Sequence, residues 1–507
     1  MRCARCLKDH LQYRIRCVMI LLTVLLTCSR GITVAQDAPG STMTLEQLRL
    51  GPKKLQEPLK PLQIQPAAEP TPAFRYRLYP ANWELKPGSA QLHFSRALIL
   101  YSQKPKESQK LWHDWASAEA SPTDEQLTAA VGELSSIYSE LHHLAMSEDF
   151  QWDHRIRDLR GPEVYSFLLP DVQEARSMAQ MLRLKIRHEI RNKDFDGAVS
   201  TMSDGFRLAK FVGQGETLIQ KLVGIAIAAI MRDGLEEAIG TPGCPNLYWA
   251  IATIPQPLID IRESALWELS NIHAVFPALR DAETANWSEA EAAERWADMV
   301  DDLSVLTDNN RAFAQGPRVT LAIAGVALVD VARERLLAGG IPEQRLASLP
   351  SLQIILMDAS IELRKGGQEL SKGILLPSPV ADAVMRREDQ EFKAWVGNSR
   401  TTSVGAAIAS ILFPAVMNVR QADTRMILGH NRLMTLEALR MYAAEHDGKL
   451  PSSLNELTSA PAMKDPYSDG PFEYRVETVE GRQMIILKAA GPTNYRPLQE
   501  LNAILDR

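Results

Sequence analysis

Residues 171–239 constrain the fold of this chain more than any other stretch. Met178, Leu182, Ile186 and Ile190 recur every four residues, which is one face of a helix. The polar triplet Asn192-Lys193-Asp194 interrupts that pattern, and Phe195, Ala198, Val199, Met202, Phe206 and Ala209 then line a second face. A three-residue turn lets the two stripes be buried only against each other, so an antiparallel helical hairpin is predicted. A third helix, over residues 216–239, carries Leu222-Val223-Gly224-Ile225-Ala226-Ile227-Ala228-Ala229-Ile230-Met231 and is apolar all round. Ten residues rise about 15 Å against about 30 Å of bilayer hydrocarbon, so the run is expected to be a buried core helix.

The first 35 residues read as an address. Arg2, Arg5, Lys8, Arg14 and Arg16 precede an apolar run over residues 17–28, and Thr33-Val34-Ala35 closes the segment. A basic head, a short apolar middle and small residues before the cut describe a secretory leader cleaved after Ala35. The twelve-residue run is too short for a membrane anchor, and Thr27 before Cys28 disfavours a lipid attachment site. Residues 36–72 are expected to be a disordered linker, with six prolines between Gly51 and Pro72.

The chain has 56 basic and 62 acidic residues. Loss of residues 1–35, which hold six basic residues and one acidic, leaves 50 against 61, a net charge of −11. An acidic surface is a poor match for nucleic acid. Four of the five cysteines lie in the leader, so Cys244 cannot form an internal disulfide after cleavage.

Beyond the hairpin, helices are predicted after Pro87-Gly88-Ser89 as far as Ser102, with the Ser89 hydroxyl as cap, and after Pro122-Thr123-Asp124-Glu125. Others are placed at about 258–283, 288–313, 317–338 and 379–398. The resulting division is a leader (1–35), a linker (36–72), a helical domain (73–240), a second helical region (241–402) and a C-terminal α+β module (403–507). In that module Ile427, Leu428, Met434, Ala438, Met441 and Tyr442 form a helical stripe. Phe472, Tyr474 and Val476 alternate as a strand that turns at Glu480-Gly481 toward a partner at residues 484–487.

Short motifs carry little chemistry. His188-Glu189-x-x-Asn192 lacks the second histidine of a zinc-protease helix. His142-His143 with Asp149, Asp153 and His154 is the densest set of metal-ligating residues, but adjacent helical histidines diverge by about 100°. Trp112 and Trp115 are candidates for a binding surface, with core packing as the alternative. The acidic run Glu289, Glu291, Glu294, Asp298, Asp301 and Asp302 reads as a solvated helix face. Cys244 has no local histidine to activate it, and Asn286-Trp287-Ser288 fits a glycosylation acceptor by coincidence. No glycine-rich phosphate loop and no Gly-x-Ser-x-Gly elbow is present.

Two resemblances add to this reading. Lys193-Asp194-Phe195-Asp196-Gly197-Ala198-Val199 resembles the second half of a tetratricopeptide repeat, which implies hairpin architecture and, more weakly, peptide binding. No second copy follows at a 34-residue period. Residues 403–492 resemble a type II secretion pseudopilin, through Gly405-Ala406-Ala407-Ile408-Ala409, Leu412-Phe413-Pro414-Ala415 and Leu436-Glu437-Ala438-Leu439-Arg440-Met441-Tyr442. The match continues through Gly448-Lys449-Leu450-Pro451 and Lys464-Asp465-Pro466-Tyr467-Ser468-Asp469-Gly470-Pro471-Phe472-Glu473-Tyr474-Arg475, and closes with Ile485-Ile486-Leu487 and Gly491-Pro492. The resemblance implies one long helix packed on a small antiparallel sheet. The apolar helix is internal here, so a soluble descendant used as a folding or docking unit is expected. Some pseudopilins hold calcium before the last strands, which makes Asp465 and Asp469 candidate ligands, with turn chemistry as the alternative.

The fold expected is mainly α: helical hairpins or a bundle, with a C-terminal pilin-like module. The function expected is that of an exported, non-catalytic scaffold, periplasmic, envelope-associated or secreted. It would bind a protein or peptide, without a cofactor, nucleic acid or a stable membrane span. The alternatives are an exported hydrolase built from scattered residues and an accessory part of a secretion or pilus-like assembly.

Overall fold

The computed structural model describes residues 61–117, 120–152, 158–161, 169–270, 272–306, 328–376, 378–399, 402–491 and 500–506. The leader and residues 36–60 of the expected linker lie outside them, as do Asp153, His154 and Pro492. The described protein is mainly helical with a small mixed sheet. Among the described residues no helix is long and apolar enough to cross a membrane.

The first helices are α1 (Ala90–Ser102), α2 (Lys106–Ala116), α3 (Asp124–Glu133) and α4 (Ser135–Ala145). Thr123 and Gln126 form a reciprocal capping box at the start of α3, where the sequence placed a helix start. Ser89 occupies the N-cap of α1 with extended backbone, but its hydroxyl makes no cap bond. It instead ends a short parallel pair, β2 (Lys86–Ser89) beside β3 (Ser147–Asp149).

Residues 171–239 lie in α5 (Leu169–Arg191), α6 (Phe195–Gly213) and α7 (Leu218–Ile239), each packed on the other two. Lys193 takes the left-handed conformation at φ 61°, and Asp194 accepts the Gly197 amide at 2.9 Å, which stops one helix and starts the next. Thr217 and Gln220 cap α7 in the same reciprocal way as α3. α6 packs on α4 as well, so the hairpin is the centre of the first half.

The chain continues through α8 (Tyr248–Ala252), α9 (Arg262–Ser270), α10 (Ile272–Val275) and α11 (Glu289–Leu306). Within the helix expected over 258–283 the chain is helical at Arg262–Ser270 and Ile272–Val275, with residue 271 outside the described residues, and the run ends before Pro277, which cannot donate to a helical ladder. Then come α12 (Val329–Ala338), α13 (Glu343–Ala347), α14 (Ser351–Ile374), α15 (Ser378–Ser399) and α16 (Val404–Glu445). The sequence reading missed α14, a 24-residue helix that packs on α9, α11, α12, α15 and α16. α16 runs 42 residues, about 63 Å, and also contacts α7 and α8.

The sheet has the order β1-β6-β5-β4. β4 (Glu473–Val479) and β5 (Arg482–Lys488) form the expected hairpin, with Glu480 and Gly481 both at positive φ as a type I′ turn requires. β6 (Glu500–Leu505) pairs antiparallel with β5. β1 (Leu62–Ile64) pairs parallel with β6, so the sheet is mixed rather than antiparallel. This corrects the linker reading over residues 61–72. Ile64 is buried in the core, and Ala67 donates its amide to the Arg440 carbonyl at 3.1 Å. Proline-rich chain is extended, and here an extended strand has a free sheet edge to join.

Candidate functional site

Trp112 and Trp115 on α2 are only 3% and 6% exposed and belong to the core. They are not a binding surface: α2 packs on α5, and both indoles lie on the packed side.

Asp465 is buried, and its carboxylate organises a loop. Oδ1 accepts the Tyr467 amide at 3.0 Å, and Oδ2 accepts the Ser468 hydroxyl at 3.1 Å and the Ala490 amide at 2.8 Å. Asp469 is exposed at φ 56°, with Oδ1 3.2 Å from Lys464 Nζ. Asx-turn and left-handed turn chemistry account for both residues. Both oxygens of Asp465 serve the turn, and Asp469 pairs with Lys464 through Oδ1 alone. No group of three or more metal-ligating side chains occurs among the described residues.

The histidine cluster divides. His142 on α4 lies 3.0 Å from Asp204 Oδ1 on α6, and His143 packs against His93, whose Nδ1 is 2.6 Å from Glu140. The hydrogen bond to Asp204 raises the His142 pKa above its usual value, and Asp204 itself is raised by burial. Geometry and the His142 shift agree on an interhelical ion pair. His188 bonds Asn192, and the neighbouring Glu189 pairs with Lys185 at 3.0 Å and accepts from Thr201 at 3.1 Å. Burial pushes the Cys244 thiol up to about 12, the opposite of an activated nucleophile.

One serine–histidine contact was not foreseen. His273 Nε2 lies 3.0 Å from Ser360 Oγ, and that hydroxyl donates to Glu283 Oε1 at 2.8 Å. A hydroxyl has one proton. Since it goes to the carboxylate, Nε2 must be the donor to Ser360, so the imidazole cannot act as base toward this oxygen. Arg364 holds the other oxygen of Glu283 at 2.6 Å, and Ser360 has 0% exposure. The four residues tie α10, α14 and the intervening loop together and form no hydrolytic centre.

An open cleft of about 240 Å³ lies at the C-terminal end of α16. Met441 and Leu457 give it an apolar floor, and Tyr442, Glu445, His446 and Glu456 give it a polar rim. Tyr442 and His446 stack with ring centroids 3.8 Å apart. Glu456 is held below the usual carboxylate range, first by the Ser452 hydroxyl and then by the Ser453 amide at 3.1 Å, so it is an anion at neutral pH. Glu445 accepts the Ser459 hydroxyl at 3.3 Å. An apolar floor with two carboxylates at the rim suits a side chain with an aliphatic stem and a cationic head. Sequence reading passed over this site because its two walls, 438–446 and 456–460, meet only after the chain reverses.

No known protein family, no curated protein and no solved structure matches the chain.

Proposed function

We propose that this protein is an exported, non-catalytic scaffold of the cell envelope that binds a protein or peptide through its C-terminal module. The observation that carries the reading is the cleft at the end of α16, whose acidic rim and apolar floor suit a lysine or arginine of an extended partner. The leader pattern in residues 1–35 supports export. The order of α16, the turn at 464–471 and the β4–β5 hairpin supports descent from the pilin-like module that residues 403–492 resemble. The hydrolase reading has less support, because among the described residues the serine whose hydroxyl meets an imidazole, Ser360, is buried and accepts a hydrogen bond from it.

Fluorescence anisotropy with the labelled peptides GGRGG and GGEGG tests the cleft. The arginine peptide is expected to bind and the glutamate peptide not to. Glu456→Gln and Glu445→Gln should each weaken binding about tenfold, the value of one charge-assisted hydrogen bond. Equal binding of both peptides, or no effect of either substitution, would reject the reading.

A further inference from the structure

We infer that β4 is a self-complementary docking edge: two copies of this chain pair antiparallel through β4, about a two-fold axis at Val476, to form one continuous sheet. This does not rest on the cleft reading.

Among the described residues β4 pairs with β5 alone, and six of its seven residues are exposed. Val476 is 38% exposed and Val479 36%. The hairpin register decides which backbone groups are free. Val479 and Arg482 flank the two-residue turn and face each other, so they form a hydrogen-bonded pair. Such pairs alternate along an antiparallel ladder, so Glu477, Arg475 and Glu473 also bond to β5. Tyr474, Val476 and Thr478 therefore direct their amides and carbonyls away from β5, toward the open edge. At the N-terminal end Pro471 bridges to Lys464, which leaves the stretch from Tyr474 onward for a partner.

An incoming antiparallel strand must match free groups with free groups, so a second β4 can pair only in registers that differ by two residues. Charge then chooses among them. With Val476 opposite Val476 of the second copy, Tyr474 meets Thr478, and Arg475 meets Glu477 on both sides of the axis. The two Arg475–Glu477 pairs are the closely spaced, non-hydrogen-bonded ones, where side chains interact most strongly. Moving the axis to Arg475 opposes arginine to arginine and Glu473 to Glu477. Moving it to Glu477 opposes glutamate to glutamate. Within this strand Arg475 already lies 3.5 Å from Glu473 and 3.9 Å from Glu477, so the three charges share one face. The edge thus selects one register of itself by sign. A single strand pair covers less than the roughly 1,200 Å² of a stable interface, so a reversible dimer in the micromolar range is expected.

Sedimentation velocity across micromolar concentrations at low salt tests this on the full chain. The wild type should pass from monomer to dimer, and less so at high salt. Arg475→Glu places like charges opposite each other twice and should raise the dimer Kd at least about tenfold. The double swap Arg475→Glu/Glu477→Arg restores opposite signs in the same register and should return the Kd to near its wild-type value, a recovery that damage to the fold cannot produce. Val476→Pro removes the outward amide without breaking a hydrogen bond to β5 and should abolish the dimer while the monomer still unfolds cooperatively. A wild type that stays monomeric throughout, or a single charge reversal without effect, overturns the inference.

Discussion

Arg440 and Glu437 sit three residues apart on α16 with Nη1 2.7 Å from Oε1, and their side chains are 1% and 0% exposed. The rest of the guanidinium is also satisfied: Nε donates to the Gln65 carbonyl and Nη2 to the Cys244 carbonyl, both at 2.8 Å. The second oxygen of Glu437 accepts the Leu247 amide at 2.5 Å. This buried pair clamps the β1 segment and the 244–247 loop onto the long helix. Arg440→Met would strand a buried carboxylate. We expect a loss of about 3–5 kcal/mol in guanidinium unfolding, with part of it recovered in Arg440→Met/Glu437→Leu.

Gly224 on α7 approaches α6 closely. A methyl group there would stand 2.8 Å from the Ala209 carbonyl oxygen and 2.8 Å from Ile259. Helix propensity alone favours alanine by about 1 kcal/mol, whereas overpacking costs about 1–3 kcal/mol. The obstacle is backbone, which cannot swing aside, so steric cost should win. Gly224→Ala is expected to lower the melting temperature; an increase would mean that the hairpin is looser than described.

Glu268 accepts the Leu218 amide at 2.7 Å at the start of α7, and burial pushes its pKa from 4.5 to about 7. Between those values the folded state binds more protons than the unfolded state, so stability falls as pH rises from about 4.5 to about 7. Glu268→Gln keeps an acceptor and removes the titration. Its denaturation midpoint, measured against wild type, should gain relative stability across that window and level off above it.

His142 gives a second slope of the same sign. Its pKa is raised from 6.5, first by the hydrogen bond to Asp204, with burial and the charges of Lys185 and Lys86 opposing. Its contribution is complete below about 6.5 and is lost as pH rises through the higher folded value. His142→Gln should therefore cost stability at pH 5.5 and little at pH 9. NMR titration of the imidazole would report the same shift directly.

Ile64 is buried where β1 meets β6. Ile64→Ala should cost about 2–5 kcal/mol. A chain beginning at residue 73 should lose more, because it also lacks the Gln65 and Ala67 carbonyls that Arg440 and Asn246 use. Hydrogen exchange of β6 amides would show the edge opening.

Much of the helical half was legible because its signals are local. The Asn192-Lys193-Asp194 turn, the Thr123 cap and the Glu480-Gly481 hairpin each act over a few residues. α14 is hard to read in its first half, where Leu352, Gln353, Ile354, Ile355, Leu356 and Met357 are all buried and no stripe shows, whereas its second half does carry one, Leu363, Gly367, Leu370 and Ile374 against exposed Arg364, Lys365, Gln368 and Glu369, which the sequence reading passed over. β1 has three residues and a partner at the far end of the chain, and no window of sequence contains both. The same holds for the site residues. Asp465 could be read as turn chemistry from its neighbours alone, whereas His142 with Asp204, His273 with Ser360 and the two walls of the cleft are joined only by folding.

Leu62 lies beside Ala503, so the outermost strand of the sheet cannot be seated until the chain has been made as far as β6. A chain that emerges amino end first must carry Leu62, Gln63 and Ile64 without their strand partner until then. Closing a loop of that length precedes any reward from the contact, so pairing of β1 with β6 should be a late step of folding.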